Sequence, residues 1–157
     1  SELERFDSNL KVNPPLRSKK DVKALKKAVK DGTIDVICSD HYPQNIESKK
    51  CEFDLASFGM VNLETSFSAA NTALKEELSI EEIIPKLTSI PRKILGLETT
   101  IIEEGAFADL TLFDPELKWK LDKSEIVSKS KNTALAGKEF TGKALAILNN
   151  GQFVKYQ

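Results

Sequence analysis

DGTIDVICSDHYPQ, residues 31–44, joins an apolar run of strand character to two residues able to do chemistry. Ile34, Val36, Ile37 and Cys38 have the side chains of a buried strand, and Asp31-Gly32 and Tyr42-Pro43 close it at either end. A strand over Ile34 to Ser39 puts Asp40 and His41 where strand becomes loop. In parallel α/β architectures that strand end is where catalytic groups gather, because the sheet holds the side chain while it faces an open mouth. The other reading is a turn whose Asp caps the backbone, since Ser, Asp and Pro are ordinary turn residues. Period-2 alternation puts Cys38 on the same side as Asp40, as a small buried apolar residue.

Upstream, Asn13-Pro14-Pro15-Leu16-Arg17 reads as extended, because each Pro disfavours the helical region for its predecessor. Arg17 reads as a surface ion pair or a helix-start contact. Ser18 with Asp21 makes a capping-box start for a helix over 19–30, with Val22, Leu25, Ala28 and Val29 on one face and Gly32 as its stop. The lysines of its other face lack interleaved aromatics and are flanked by Asp21 and Asp31, so they read as a solvated face and not as a nucleic-acid patch. The chain opens with neither an initiator Met nor a targeting segment, and reads as cut from something longer.

Downstream, Asn45 to Phe53 is a polar loop, expected to be mobile beside the strand mouth. Leu63, Phe67, Ala70 and Leu74 step at helical spacing within Val61 to Lys75, Ser79 with Glu82 starts another helix, and Pro91 opens a short one ending at Gly96. From about Thr99 the character is β. Ala108 to Phe113 and Ala144 to Leu148 are strand-like, and Asn149-Asn150-Gly151 signals a hairpin into Phe153 to Tyr156. Trp119 reads as a packing residue of this β region. Two regions follow, 1–98 and 99–157.

With 157 residues, 40% hydrophobic and 30% charged, the chain is long enough for a real core and is neither disordered nor fibrous. Lys+Arg 23 against Asp+Glu 24 offers no bulk charge for nucleic acid or an anionic membrane. No apolar run approaches a transmembrane length. Cys38 and Cys51, without metal-type spacing, fit a reducing cytoplasm better than a disulfide framework.

A complete (β/α)₈ barrel needs roughly 200 or more residues, which leaves a small α/β domain of its own or the tail of a barrel. KVNPPLR at 11–17, DGTIDVICSDHYP at 31–43, FGMVNLET at 58–65, PRKILGL at 91–97 and GAFADLTLFDP at 105–115 decide between them. Their combination, order and spacing resemble the C-terminal part of the dihydroorotases of the amidohydrolase superfamily. N-P-P-L-R together with F-G-x-x-x-L-E-T favours that family over allantoinases and dihydropyrimidinases. The resemblance implies an α/β fold in which the end of a TIM barrel is followed by a small β region belonging to a composite β-sandwich. It implies that Asp40 binds metal and shuttles the proton, that Asn13 contacts substrate, and that the Phe58-Gly59 backbone touches it. The implied reaction interconverts N-carbamoyl-aspartate and dihydroorotate in pyrimidine synthesis, with zinc in the full-length parent.

Two departures from the family pattern stand out. His41 is the only histidine, so the H-x-H pair and the other metal ligands are not in this chain, and no tightly held zinc or activity is expected of the segment alone. The family's S-D-H-x-P-H ends here in Gln44, a substrate position where an amide can donate a hydrogen bond but cannot carry positive charge. His41 itself reads as a structural imidazole steadying the strand end or as a direct catalytic part. Three functions are in view: a segment of an active dihydroorotase, an inactive dihydroorotase-like scaffold partnering aspartate transcarbamoylase, or a free-standing α/β binding module. The first two need partners for bare surface. An unpaired strand edge and apolar stripes carrying Leu25, Val29, Leu63 and Phe67 predict self-association of the segment.

Overall fold

In the computed structural model, which describes residues 6–156, helices precede strands along the chain. They are α1 (Lys19–Lys30), α2 (Ser66–Leu74), α3 (Ile80–Leu87) and α4 (Ser89–Ile94), then β1 (Leu110–Lys120), β2 (Glu139–Asn149) and β3 (Gln152–Lys155).

Helix α1 starts where Ser18 and Asp21 cap each other. The Asp21 carboxylate accepts from the Ser18 hydroxyl at 2.6 Å and its N–H at 3.2 Å, and the Ser18 hydroxyl accepts the Asp21 N–H at 3.3 Å. These bonds, the hydroxyl's first, hold the Asp21 carboxyl below its ordinary range. The helix stops at Asp31-Gly32, where Gly32 takes φ +79° and the Asp31 carboxylate accepts from the Thr33 hydroxyl and N–H at 2.6 and 3.1 Å. Helix α3 starts with a capping box in which the Glu82 carboxylate takes the Ser79 N–H at 2.7 Å.

The strand expected over Ile34 to Ser39 is not formed. The segment is extended, but its polar groups go to α3: the Ile37 N–H donates to Lys86 O at 3.0 Å, and Lys86 Nζ donates to Ile34 O at 3.1 Å. A strand exists only with a ladder partner, and no described residues run beside this segment to provide one. What remains of parallel pairing is one isolated bridge between His41 and Met60. Cys38, expected to be buried, is exposed, because the segment turns Ile34 and Ile37, three residues apart, to the apolar core and does not follow the period-2 alternation of a strand.

The chain divides into two compact units that interleave in sequence. The first comprises the chain up to Lys26, Ser39–Ser66 and Lys120–Glu139; the second comprises Lys27–Cys38, Phe67–Trp119 and the chain from Phe140 onward.

The second unit has an apolar core of Val29, Ala70, Leu74, Leu78 and Ile83, with Ile34, Ile37 and Leu87 against it. Helix α2 also meets the sheet. Asn71 Nδ2 donates to Pro115 O and Thr141 O at 2.9 Å each, and the Thr141 N–H donates to the Thr72 hydroxyl at 2.8 Å. The approach is close enough to require glycine at Gly142, where φ is +93° and a Cβ would meet Asn71 Nδ2 at 2.7 Å. In the sheet, ordered β1-β2-β3, β2 and β3 pair antiparallel from Ala146↔Lys155 to Asn149↔Gln152. Their two-residue turn has φ +49° at Asn150 and +72° at Gly151, the left-handed pair that Asn-Gly adopts in a tight hairpin. Strand β1 runs well past Phe113, through Pro115, which an edge strand tolerates because its missing N–H breaks no ladder bond. Trp119 packs as expected, its Nε1 donating to Gly142 O at 2.9 Å and its ring 5.6 Å from that of Phe140.

Of the stripe residues expected to face water, Leu25 and Leu63 do so, at 47% and 61% exposure, whereas Val29 is in the core and Phe67 is half-buried edge-on to Phe113.

Candidate functional site

The first unit gathers the segments that carry Asn13, Asp40, Gln44 and Phe58-Gly59. It has little regular structure, so its geometry is set by side chains that bond to distant backbone.

Asp40 sits directly before the His41–Met60 bridge, exposed, with φ +46°. That left-handed conformation is uncommon for a residue with a Cβ, although Asp tolerates it better than most. No described residue bonds its carboxylate, so both oxygens keep their lone pairs for a ligand or a proton. His41 is bonded to the backbone through its imidazole. Its Nδ1 accepts the N–H groups of Asn62 at 3.2 Å and Leu63 at 3.0 Å, which fixes the ring against the turn that leads into α2 and leaves Nδ1 without a proton.

Gly59 is where this strand-end segment and the 58–65 segment meet most closely. It is buried at φ +115°, and a Cβ there would lie 2.4 Å from Tyr42 O. Its N–H donates to Lys11 O at 3.0 Å, which brings the turn carrying Asn13 to the same place. Asn13 is exposed and joined to Pro14 by a cis peptide. Phe58 is half-exposed, with Lys11 Nζ 4.9 Å from its ring centroid.

Lys49 and Asn132 were not singled out by sequence reasoning, yet they tie these segments together. Lys49 lies in the loop expected to be mobile. It is instead only 5% exposed, with Nζ donating to Ser57 O at 2.8 Å and Lys11 O at 3.2 Å. Burial, assisted by the nearby Lys11 ammonium, pushes its pKa below the ordinary lysine value, against a pull from Asp7 and Cys51. Asn132 Oδ1 accepts the Gln44 N–H at 3.0 Å, its Nδ2 donates to Gly59 O at 3.3 Å, and its own carbonyl accepts the Val61 N–H at 2.8 Å. The Glu64 carboxylate completes the set, taking the Val127 and Ser128 N–H groups at 2.8 and 2.9 Å. Buried lysines and amide-rich side chains have no periodicity that a single sequence reveals; Glu64 alone lay in a quoted motif.

Gln44 and Asn132 stand in the wall of a cavity of about 1050 Å³ that also takes in Lys49, Lys129 and Lys131. Asp40 is not on that wall. Gly59 is thus joined to the Asn13 turn by a backbone bond and to Gln44 through the Asn132 side chain, while Asp40, next to the bridge, is exposed. Among the described residues no three His, Cys, Asp or Glu side chains converge on a metal-sized site. Asp40 offers one ligand and His41 Nδ1 is taken, so these residues do not by themselves fit a bound metal ion.

The model of the amidohydrolase family matches residues 5–154. The dihydroorotase of Caldicellulosiruptor saccharolyticus is 41% identical over 152 residues, covering 96% of this chain and 35% of its own length. The chain thus spans about a third of that curated relative. Among solved structures, the L-hydantoinase (dihydropyrimidinase) of Arthrobacter aurescens superposes with a TM-score of 0.87 at 28% identity, over 98% of this chain and 36% of that one. The inactive dihydroorotase-like domain of a Chaetomium thermophilum CAD-like multifunctional protein shares the fold at a TM-score of 0.62 and 17% identity, over 90% of this chain and 40% of that one.

Proposed function

This chain belongs to the amidohydrolase family, and from that premise we propose that it forms the C-terminal part of a dihydroorotase, with 1–98 completing a TIM barrel and 99–157 contributing to a composite β-sandwich. The observation that carries the reading is Asp40: a carboxylate with no partner among the described residues, on a left-handed residue, fixed in place by the His41–Met60 bridge that follows it. Support for dihydroorotate over other cyclic amides comes from the 41% identity to a dihydroorotase, against 28% to the hydantoinase.

Opening the dihydroorotate ring requires water to form a C–O bond at the ring carbonyl while the C–N bond breaks. The water must lose a proton and the leaving nitrogen must gain one. The Asp40 carboxylate takes the first proton and returns it to the nitrogen, so the step balances with no other acid or base. Gln44 donates its amide N–H to the substrate carboxylate, and Asn13 and the Phe58 backbone hold the ring. Gly59 acts by shape, because its N–H is already given to Lys11 and its carbonyl to Asn132. Zinc is the metal we propose for the longer enzyme, where it supplies Lewis-acid polarisation; Asp40 is the ligand this chain adds. Its exposed free thiols, Cys38 and Cys51, suit the cytoplasm.

The test is turnover by the full-length protein of dihydroorotate, hydantoin and dihydrouracil side by side. Hydrolysis of dihydroorotate with the others at least tenfold slower is expected, since a site built for a charged carboxylate loses that contact with either competitor. A second reading, a dihydroorotase-like scaffold beside aspartate transcarbamoylase, is favoured by Gln44 in place of a chargeable histidine. No turnover of any of the three by metal-loaded protein would select it.

A further inference from the structure

Asn132 stands 88 residues from Gln44 and 73 from Gly59, yet its side chain bonds to both. The two bonds use opposite ends of the amide: Oδ1 accepts the Gln44 N–H at 3.0 Å, and Nδ2 donates to Gly59 O at 3.3 Å. The backbone carbonyl of the same residue accepts the Val61 N–H at 2.8 Å, which anchors Asn132 to the segment it holds. A primary amide is the one side chain of this size that offers an acceptor and a donor at fixed separation; aspartate keeps only the acceptor and leucine keeps neither.

Gln44 lies on the loop after Asp40, and Gly59 lies beside Phe58 on the far side of the His41–Met60 bridge. One bridge is a weak constraint, since a slip of the loop by a single residue would turn Gln44 away. The bond at Gln44 N–H fixes the register of that loop, and the bond at Gly59 O fixes the register of the other. We infer that Asn132 is a positioning residue, which holds Gln44 and the Phe58-Gly59 pair in one fixed relation so that both meet the same substrate. The inference rests on the substrate roles proposed for Gln44 and Phe58, and it assigns to the 120–139 loop a part in substrate affinity.

Two variants separate the bonds. Asn132→Ala removes both, whereas Asn132→Asp keeps the acceptor for Gln44 and places a carboxylate oxygen against Gly59 O. In this chain, amide hydrogen exchange at Gln44 is expected to quicken about tenfold in Asn132→Ala and to stay unchanged in Asn132→Asp, the size of one lost hydrogen bond. The Ile37 amide, bonded to Lys86 O in the second unit, is the reference for intact folding. If it also quickens in Asn132→Ala, the Asp variant decides. In the full-length protein, KM for dihydroorotate is expected to rise about tenfold in both variants with kcat nearly unchanged, the signature of lost binding without lost chemistry. Unchanged exchange at Gln44 in a folded Asn132→Ala, or an unchanged KM in both variants, overturns the inference. Absence of dihydroorotate turnover in the unsubstituted protein overturns the functional reading instead, and the exchange result then decides alone whether Asn132 holds the two segments.

Discussion

Each of the two units of this chain is held together internally by a different kind of force. The second is packed: Ile83 is fully buried, and Val29, Ala70, Leu74 and Leu78 close around it with helices and a sheet to fix their directions. The first unit is tied. Lys49, Asn132, His41 and Glu64 each bond to two backbone groups of distant loops, doing for irregular chain what a ladder does for a strand. Apolar packing supplies stability but little direction, and polar ties supply direction at the cost of burying charge and dipole. The unit that carries the proposed site is the tied one, as expected where loop positions matter more than raw stability.

The largest effect should come from the packed unit. Ile83→Ala leaves a cavity at a fully buried position and is expected to cost about 3 to 4 kcal/mol by urea unfolding. A loss below about 1 kcal/mol would mean that this core does not hold the unit. Next is Gly59→Ala in the tied unit, where φ +115° and an approach of 2.4 Å to Tyr42 O leave no room for a methyl group. Strain and overpacking together should cost about 2 to 3 kcal/mol. Spectra that moved as much around Ile83 as around Tyr42 would erase the distinction between the units.

The smallest effect is on Lys49 and sharpens the comparison through pH. Its folded pKa lies below the ordinary 10.5 because burial disfavours the ammonium. In the window between the lowered value and 10.5 the unfolded chain binds more protons, so stability should rise with pH there. Lys49→Met should remove that rise and, below it, cost about 1 kcal/mol by leaving the Ser57 carbonyl unpaired, since Lys11 O keeps the Gly59 N–H. Unfolding curves across the alkaline range measure both, and an identical pH slope in the two proteins would show that Lys49 is not held as described.

What could be read from sequence follows from this division. The α1 cap at Ser18 and Asp21, the Glu82 cap of α3, the Asn150-Gly151 hairpin and the packing of Trp119 depend on near neighbours or on residue type, and the structure has them all. The strand at Ile34 to Ser39 did not form because strand identity belongs to a pair, and residue types describe only one member. Strand β1 outran its legible part because Pro115 reads as a breaker until the strand is known to be an edge. In the site region, the motifs that carry Asp40, Gln44 and Gly59 were legible as a resemblance, on which their proposed roles rest. The ties that hold Gln44 and Gly59 were not, since Lys49 and Asn132 act over 38 and 88 residues through side chains that look like solvent-facing loop.

The central claim is that the Asp40 carboxylate does the proton transfer in a hydrolysis of dihydroorotate. Its most direct test is the rate of N-carbamoyl-aspartate release by the full-length protein with Asp40→Asn, an isostere that keeps the side-chain shape and loses the base. A fall in kcat of about a thousandfold is expected, within the range for a lost general base, with Gln44 amide exchange unchanged because the Asn132 tie is intact. An Asp40→Asn protein that turns over at the unsubstituted rate would contradict the claim.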